Sequence, residues 1–242
     1  MRARPLLEIA VQTLDEALAA ADAGADRLEL CADLDHHGYS PPCALISTIT
    51  SRCALPILAM LRPRTPDAPS RGTLARLALD FVRSGAAGIV FGPTTPDGSP
   101  DMPACLAVAE ACPGSPLVYH RAFDLAPDPA ATMHTLARIG VTRILSAGLS
   151  PHETRCVLEN RPPPNPTPMM HRLMNLRSLV RQAADRIEIL PCGGIRDHNA
   201  HLFLEATGGR HVHAACRQPG PSGSQLDVSA IRALRRVLDQ PL

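Results

Sequence analysis

The chain has 242 residues, 45% of them apolar and 19% charged, and a formal charge of +1. This is an ordinary globular composition with core-forming residues to spare, and its balance supplies no bulk field for nucleic acid or an anionic membrane. All 24 basic residues are arginine, which excludes lysine Schiff bases, lysine general bases and P-loops, and four Phe, two Tyr and no Trp leave few platforms for stacking bases.

The start, MRARPLLEIAVQ, is basic, but its apolar stretch is short and broken by Glu8, unlike a signal peptide. Leu6–Val11 reads as a first strand. Thr13 then caps a helix, with Glu16 completing a capping box and Gly24 closing it. Further strands are expected at 25–31, 56–62, 88–92, 117–123, 142–146, 186–191 and 210–215. Helical patterns lie between them at 42–52, 73–84, 102–112, 129–139, 173–184 and 197–206, and a last one at 228–238 ends the chain.

Eight strands alternating with helices over this length predict an α/β fold, a (β/α)₈ TIM barrel forming one domain over 1–242. A recurring helix–glycine–strand cassette (DAGADRLEL, RSGAAGIVF, RIGVTRIL, EATGGRHVHA) supports it. An open dinucleotide-binding sheet would want a G-x-G-x-x-G after its first strand, and none is present. The stretch 160–168, NRPPPNPTP, holds five prolines in nine residues and predicts an extended excursion, read as a surface insertion in preference to a ligand-binding arm. No run reaches the roughly 18–20 apolar residues of a membrane span. Eight scattered cysteines without a C-x-x-C pair predict reduced thiols in the cytoplasm.

Active sites of such barrels lie at the C-terminal ends of the strands. Glu8, Glu29, Cys31, Arg62, Arg64, Gly92, His120, Arg121, Asp124, Ser146, Gly148, Cys192, Gly193, Gly194 and His213 are expected there. Alternation turns Glu29 and Cys31 inward, opposite Leu28 and Leu30. A buried carboxylate needs a partner, which Arg62, Arg64 or Arg121 could supply, so Glu29 is either an interior ion pair or a site residue. In Tyr119–Asp124, strand parity puts His120 and Asp124 on one face and Arg121 on the other; His120 suits acid–base work or a hydrogen-bonded core position. Gly193-Gly194 lets backbone N–H groups approach an anion, or makes an ordinary tight turn. His211-x-His213, and Cys31 with His36 and His37, are candidate metal donors that lack a complete ligand set.

Taken together, GADRLELC (24–31), LRPR (61–64), DGSPDMP (97–103), HRAFD (120–124), RILSAG (143–148) and CGGIRDHN (192–199) resemble the motifs of the CutC family. The resemblance runs from about Leu6 to His213. It implies a cytoplasmic TIM barrel, a homo-oligomer labelled as a copper homeostasis protein, with a polar pocket of Glu8, Glu29, Cys31, Arg62, Arg64, His120, Arg121, Asp124 and His213. Members with a proposed Cu(I) site carry a cysteine late in the first strand, where this chain has Ala10. Two glycine motifs are also altered, to His37-Gly38 and to Thr65-Pro66-Asp67-Ala68. The resemblance implies copper(I) at Cys31, although that site has lost its second thiolate. The alternative is a lyase- or isomerase-type enzyme in which Glu29, His120 and Asp124 move protons. Glu8, Arg62, Arg64, Arg121, Gly193, Gly194 and His213 would then hold an anionic small molecule. No nucleic-acid or membrane partner is expected.

Overall fold

A computed structural model describes residues 4–65, 68–209, 211–221 and 223–240. Eight parallel strands form one sheet: β1 Leu6–Val11, β2 Arg27–Leu30, β3 Ile57–Leu61, β4 Gly88–Phe91, β5 Leu117–Tyr119, β6 Val141–Ser146, β7 Glu188–Pro191 and β8 His211–Ala214. They pair in the order β7-β6-β5-β4-β3-β2-β1-β8, the cyclic order of a (β/α)₈ barrel. At the remaining seam, the Glu188 carboxylate on β7 is bonded to the His211 ring on β8.

Around the barrel run α1 Leu14–Asp22, α2 Cys43–Thr50, α3 Arg71–Arg83, α4 Met102–Ala111, α5 Pro129–Arg138, α6 Pro151–Leu158, α7 Met169–Ala183, α8 Ala200–Thr207 and α9 Val228–Leu238. Their starts follow local chemistry: the side chains of Thr13, Ser70, Asp101, Asp128, Ser150 and Asp227 each accept a backbone N–H of the first turn. The cassette glycines Gly24, Gly85, Gly140 and Gly208 all have positive φ, which releases the chain from each helix toward the next strand.

Strand alternation separates two cores. Outward residues such as Leu7, Ile9, Leu28, Leu30, Ile57, Ile89 and Phe91 pack under the helices. Inward ones, among them Cys31, Leu58, Met60, Val90, Val118, Leu145, Leu190 and Cys192, fill the barrel. The interior also holds two ionic groups. Glu188 contacts Arg143 and His211 toward the strand starts, and Glu8 contacts Arg27 and His213.

Three departures from the sequence expectations matter. Strand β5 stops at Tyr119, and a 3₁₀ turn, Arg121–Leu125, replaces its last residues. The His120 ring causes this by accepting the Ala122 N–H at 3.1 Å, so the strand parity assumed for His120, Arg121 and Asp124 does not hold. Helix α6 was not anticipated, although Ser150, Pro151 and Glu153 supply a cap, an N1 proline and an acidic first turn. After β8 the chain makes an antiparallel hairpin, β9 Arg217–Gly220 with β10 Gly223–Leu226, before α9. The proline-rich excursion lies between α6 and α7 as irregular, mostly exposed chain. Arg210, the first residue expected in β8, and Pro66 and Asp67 of the altered glycine motif lie outside the described residues. No helix among the described residues is long and apolar enough to cross a membrane.

Candidate functional site

The strand C-termini surround a cavity of about 500 Å³. Of the residues expected there, Glu29, Arg62, Gly92, His120, Arg121, Cys192, Gly193, Gly194 and His213 line it. Glu8 lies beneath, fully buried, and reaches the cavity only through His213. Arg64, Asp124 and Cys31 are outside its lining.

The floor is built on β1, β2 and β8, whose register places Glu8 beside Arg27 on one side and His213 on the other. One Glu8 oxygen accepts from Arg27 Nε and the other from His213 Nδ1, the latter at 2.7 Å. Burial pushes the Glu8 pKa up, but the His213 bond and the charges of His213, Arg27 and Arg143 outweigh it and hold the carboxyl at about 2. With Nδ1 tied to Glu8, His213 presents Nε2 to Glu29, whose Oε2 lies 3.7 Å away. Glu29 Oε1 is buried without a hydrogen-bond partner. Burial raises the Glu29 pKa, and the two carboxylates raise that of His213 against the opposing effect of burial. A buried carboxyl and a buried imidazole thus face each other on the floor, both with raised pKa values.

The partner expected for Glu29 was an arginine, and the structure supplies His213 instead. Arg62 runs the other way, over the Tyr39 ring and toward the carbonyls of His36, His37 and Gly38, the nearest of them 3.2 Å off. Arg64 leaves the mouth altogether and pairs with Asp33 on the loop surface at 2.7 Å. Arg121 donates to His37 Nδ1 at 3.0 Å, and burial together with the Arg121 charge keeps His37 neutral as the acceptor. No carboxylate among the described residues pairs with Arg62 or Arg121. The buried arginines Arg27 and Arg235, by contrast, each meet one.

His120 lies flat against Gly92, where an added Cβ would stand 2.3 Å from its ring. Burial, aided by Arg62 and Arg121, lowers its pKa to about 3, so it is a neutral imidazole. Asp124 faces away from the cavity. It accepts from Ser146 Oγ at 2.6 Å and Ala147 N at 2.8 Å, and burial outweighs these bonds to raise its pKa to about 6. Its position is that of a clamp joining the 3₁₀ turn to the end of β6.

Cys31 is fully buried, its Sγ 3.6 Å from Glu29 Oε2, and burial and that carboxyl push the thiol well above its ordinary pKa. Gly38 covers it so closely that a Cβ there would lie 3.0 Å from the sulfur. His36 turns outward to Asp33, His37 serves Arg121, and Ala10 has no donor. This environment does not fit a Cu(I) site, which wants two accessible soft donors. His211 and His213 do not form a metal pair either, because each has its own carboxylate, Glu188 and Glu8. Donor atoms of Glu8, Glu29 and His213 do fall within 4.8 Å of one another. Both Glu8 oxygens are already engaged there by Arg27 and His213, which leaves the cluster short of free donors for a cation.

Sequence reasoning missed Arg172 and Arg196, and it read His37 as a metal donor where the structure has it accept from Arg121. Arg196 stands in the quoted motif CGGIRDHN and lines the cavity. Arg172 follows the proline-rich excursion, with no local signal that its guanidinium reaches back to the β6 and β7 loops.

A family model described as "CutC family" matches residues 5–161 and 164–218. The chain is 31% identical over 230 residues to the copper homeostasis protein cutC homolog of Homo sapiens, covering 93% of this chain and 78% of that protein. It is 35% identical over 222 residues to a CutC family protein of Mesorhizobium japonicum, covering 90% and 80%. A solved CutC structure from Streptococcus agalactiae superposes with a TM-score of 0.75 at 26% identity, over 87% of this chain and 98% of that one.

Proposed function

The chain belongs to the CutC family, and from that premise we propose that it acts in copper homeostasis as a small-molecule enzyme, not as a carrier of copper on cysteine. In this reading the mouth takes an anionic substrate on Arg62 and Arg121, and the Glu29–His213 pair moves a proton on it, as in a lyase or isomerase. Glu8 is the positioning residue that fixes the His213 ring. His120 contributes a neutral imidazole to the wall and Asp124 holds the 3₁₀ turn that presents it. The protein is taken to be a cytoplasmic homo-oligomer, in line with its eight free cysteines and the family resemblance.

One observation carries this reading. Arg62 and Arg121 face a cavity of about 500 Å³ with no carboxylate partner among the described residues, and an acid–base pair stands on its floor. Unpaired guanidinium groups beside low-dielectric walls favour an anion, and perturbed titratable groups in a cleft mark reactive sites.

A thermal-shift panel of small carboxylates, inorganic phosphate and phosphate esters, each with a neutral analogue, tests it on wild type and Arg121→Gln. An anion held at 100 times its Kd adds about 2.7 kcal/mol, worth roughly 5–10 °C in a chain of this size. At least one anion is expected to raise the wild-type Tm on that scale and to lose the effect in Arg121→Gln. Equal responses of the two proteins to every carboxylate and phosphate ester, or no response in either, would refute the reading.

Copper gives a second prediction. In competition with a chromophoric Cu(I) chelator under anaerobic reducing conditions, wild type and Cys31→Ser should bind copper equally weakly. Tight stoichiometric binding that the substitution abolishes would restore the cysteine site.

A further inference from the structure

The β7–α8 loop closes the cavity on the side away from Arg62, since β7 stands four strands from β3 in the cyclic order. Its peptides are oriented by side chains behind it. The Arg172 guanidinium donates to the Gly193 carbonyl at 2.6 Å and to the Cys192 carbonyl at 3.4 Å, while its Nε holds the Ala147 carbonyl at 2.9 Å. Asn199 Nδ2 takes the next carbonyl, that of Gly194, at 3.1 Å. In a planar trans peptide the N–H points opposite to the C=O. With the carbonyls of Cys192 and Gly193 tied back to Arg172, the amides of Gly193 and Gly194 are therefore directed away from it. Neither amide meets an acceptor among the described residues, and both residues line the cavity.

The glycines are required by this arrangement. Their φ angles are +80° and +81°, and a Cβ on Gly194 would meet nothing within 4 Å, so open space lies where a ligand can approach the backbone. Arg196 lines the cavity beside them, its Nη1 donating to the Ile195 carbonyl at 2.9 Å and its Nη2 to the Arg217 carbonyl at 3.4 Å, and it has no carboxylate partner among the described residues. Two directed amides, with the uncompensated charge of the Arg196 guanidinium beside them, make a positive set of donors in the cavity wall. A tetrahedral dianion with three terminal oxygens fills such a set better than a flat carboxylate does.

We propose that the Gly193–Gly194 turn with Arg196 is a phosphate seat, so that the substrate is a phosphate monoester whose second polar end lies toward Arg62 and Arg121. This deepens the small-molecule reading of the mouth and rests on it. The two ends would anchor one molecule across the barrel, with its middle above the Glu29–His213 pair.

The test is an amide-resolved NMR titration of ¹⁵N-labelled protein with inorganic phosphate, with acetate at matched ionic strength as the control. Saturable shifts at the Gly193 and Gly194 amides are expected with phosphate and not with acetate, and they should persist in Arg121→Gln. Gly194→Ala, which places a methyl group in the seat at an unfavourable φ, should weaken the phosphate response at least tenfold. If that variant does not fold, the wild-type titration decides alone. Shifts confined to the opposite wall, at Gly38 and Gly92, would overturn the phosphate seat and leave the anion site on Arg62 and Arg121 standing. Linear, unsaturating shifts at every basic surface would mean ionic strength only and would also overturn it. Silence at both walls, together with an unresponsive thermal-shift panel, would remove both readings.

Discussion

Replacing Glu8 by alanine is expected to destabilise the protein by about 3–5 kcal/mol, the usual cost of removing one partner from a buried ion pair. Glu8 is fully buried, and its two oxygens are divided between Arg27 and His213. The substitution strands both cations inside the barrel, where one Arg27 guanidinium nitrogen already has no hydrogen-bond partner. Glu8→Gln keeps the shape and one acceptor and should cost less, while releasing His213 toward its ordinary pKa. Urea unfolding of the three proteins at pH 7 measures the effect. A loss below about 1 kcal/mol for Glu8→Ala would mean that the interior charges are solvated and the site is not preorganised.

The elements legible in the sequence were those carried by local signals. Capping residues, cassette glycines and inward–outward alternation gave the barrel, and alternation alone turned Glu29 and Cys31 inward as the structure has them. What failed was partner choice, because partners come from register and side-chain reach across the barrel. Glu29 meets His213 because β8 pairs with β1 and β1 with β2, a closure of 184 positions in sequence. Arg64 leaves for Asp33 because the β2–α2 loop folds back over the mouth, and a lone Arg-Pro-Arg says nothing about that. The Tyr119–Asp124 run misled for a different reason. Its residues are compatible with a strand, but the His120 ring cap at Ala122 diverts the backbone into a 3₁₀ turn. That turn brings Arg121 to the cavity and takes Asp124 away from it.

The same turn makes the second large prediction, an acid sensitivity that belongs to His120. Its imidazole is held neutral, with a pKa of about 3 against an ordinary 6.5, so the unfolded chain takes up this proton between pH 6.5 and 3 while the native protein refuses it. Stability contributed by the neutral ring is therefore full above pH 6.5 and is lost on acidification through that window. Asp124 works in the opposite sense. Its pKa is raised from 3.8 to about 6, so the native state binds the extra proton and stability from this group grows as pH falls from 6 to 4. In wild type the two effects largely cancel between pH 6 and 4, and a flat profile there would hide both. His120→Asn removes the titration and keeps an acceptor for the Ala122 N–H. Between pH 6.5 and 4 the variant should accordingly gain on wild type by about 3 kcal/mol, with the solvent-facing part of the ring allowed for. Urea midpoints of both proteins across pH 4–7 read the difference directly. Parallel curves would show that His120 protonates freely in the native state, and that its place against Gly92 neither buries nor fixes it.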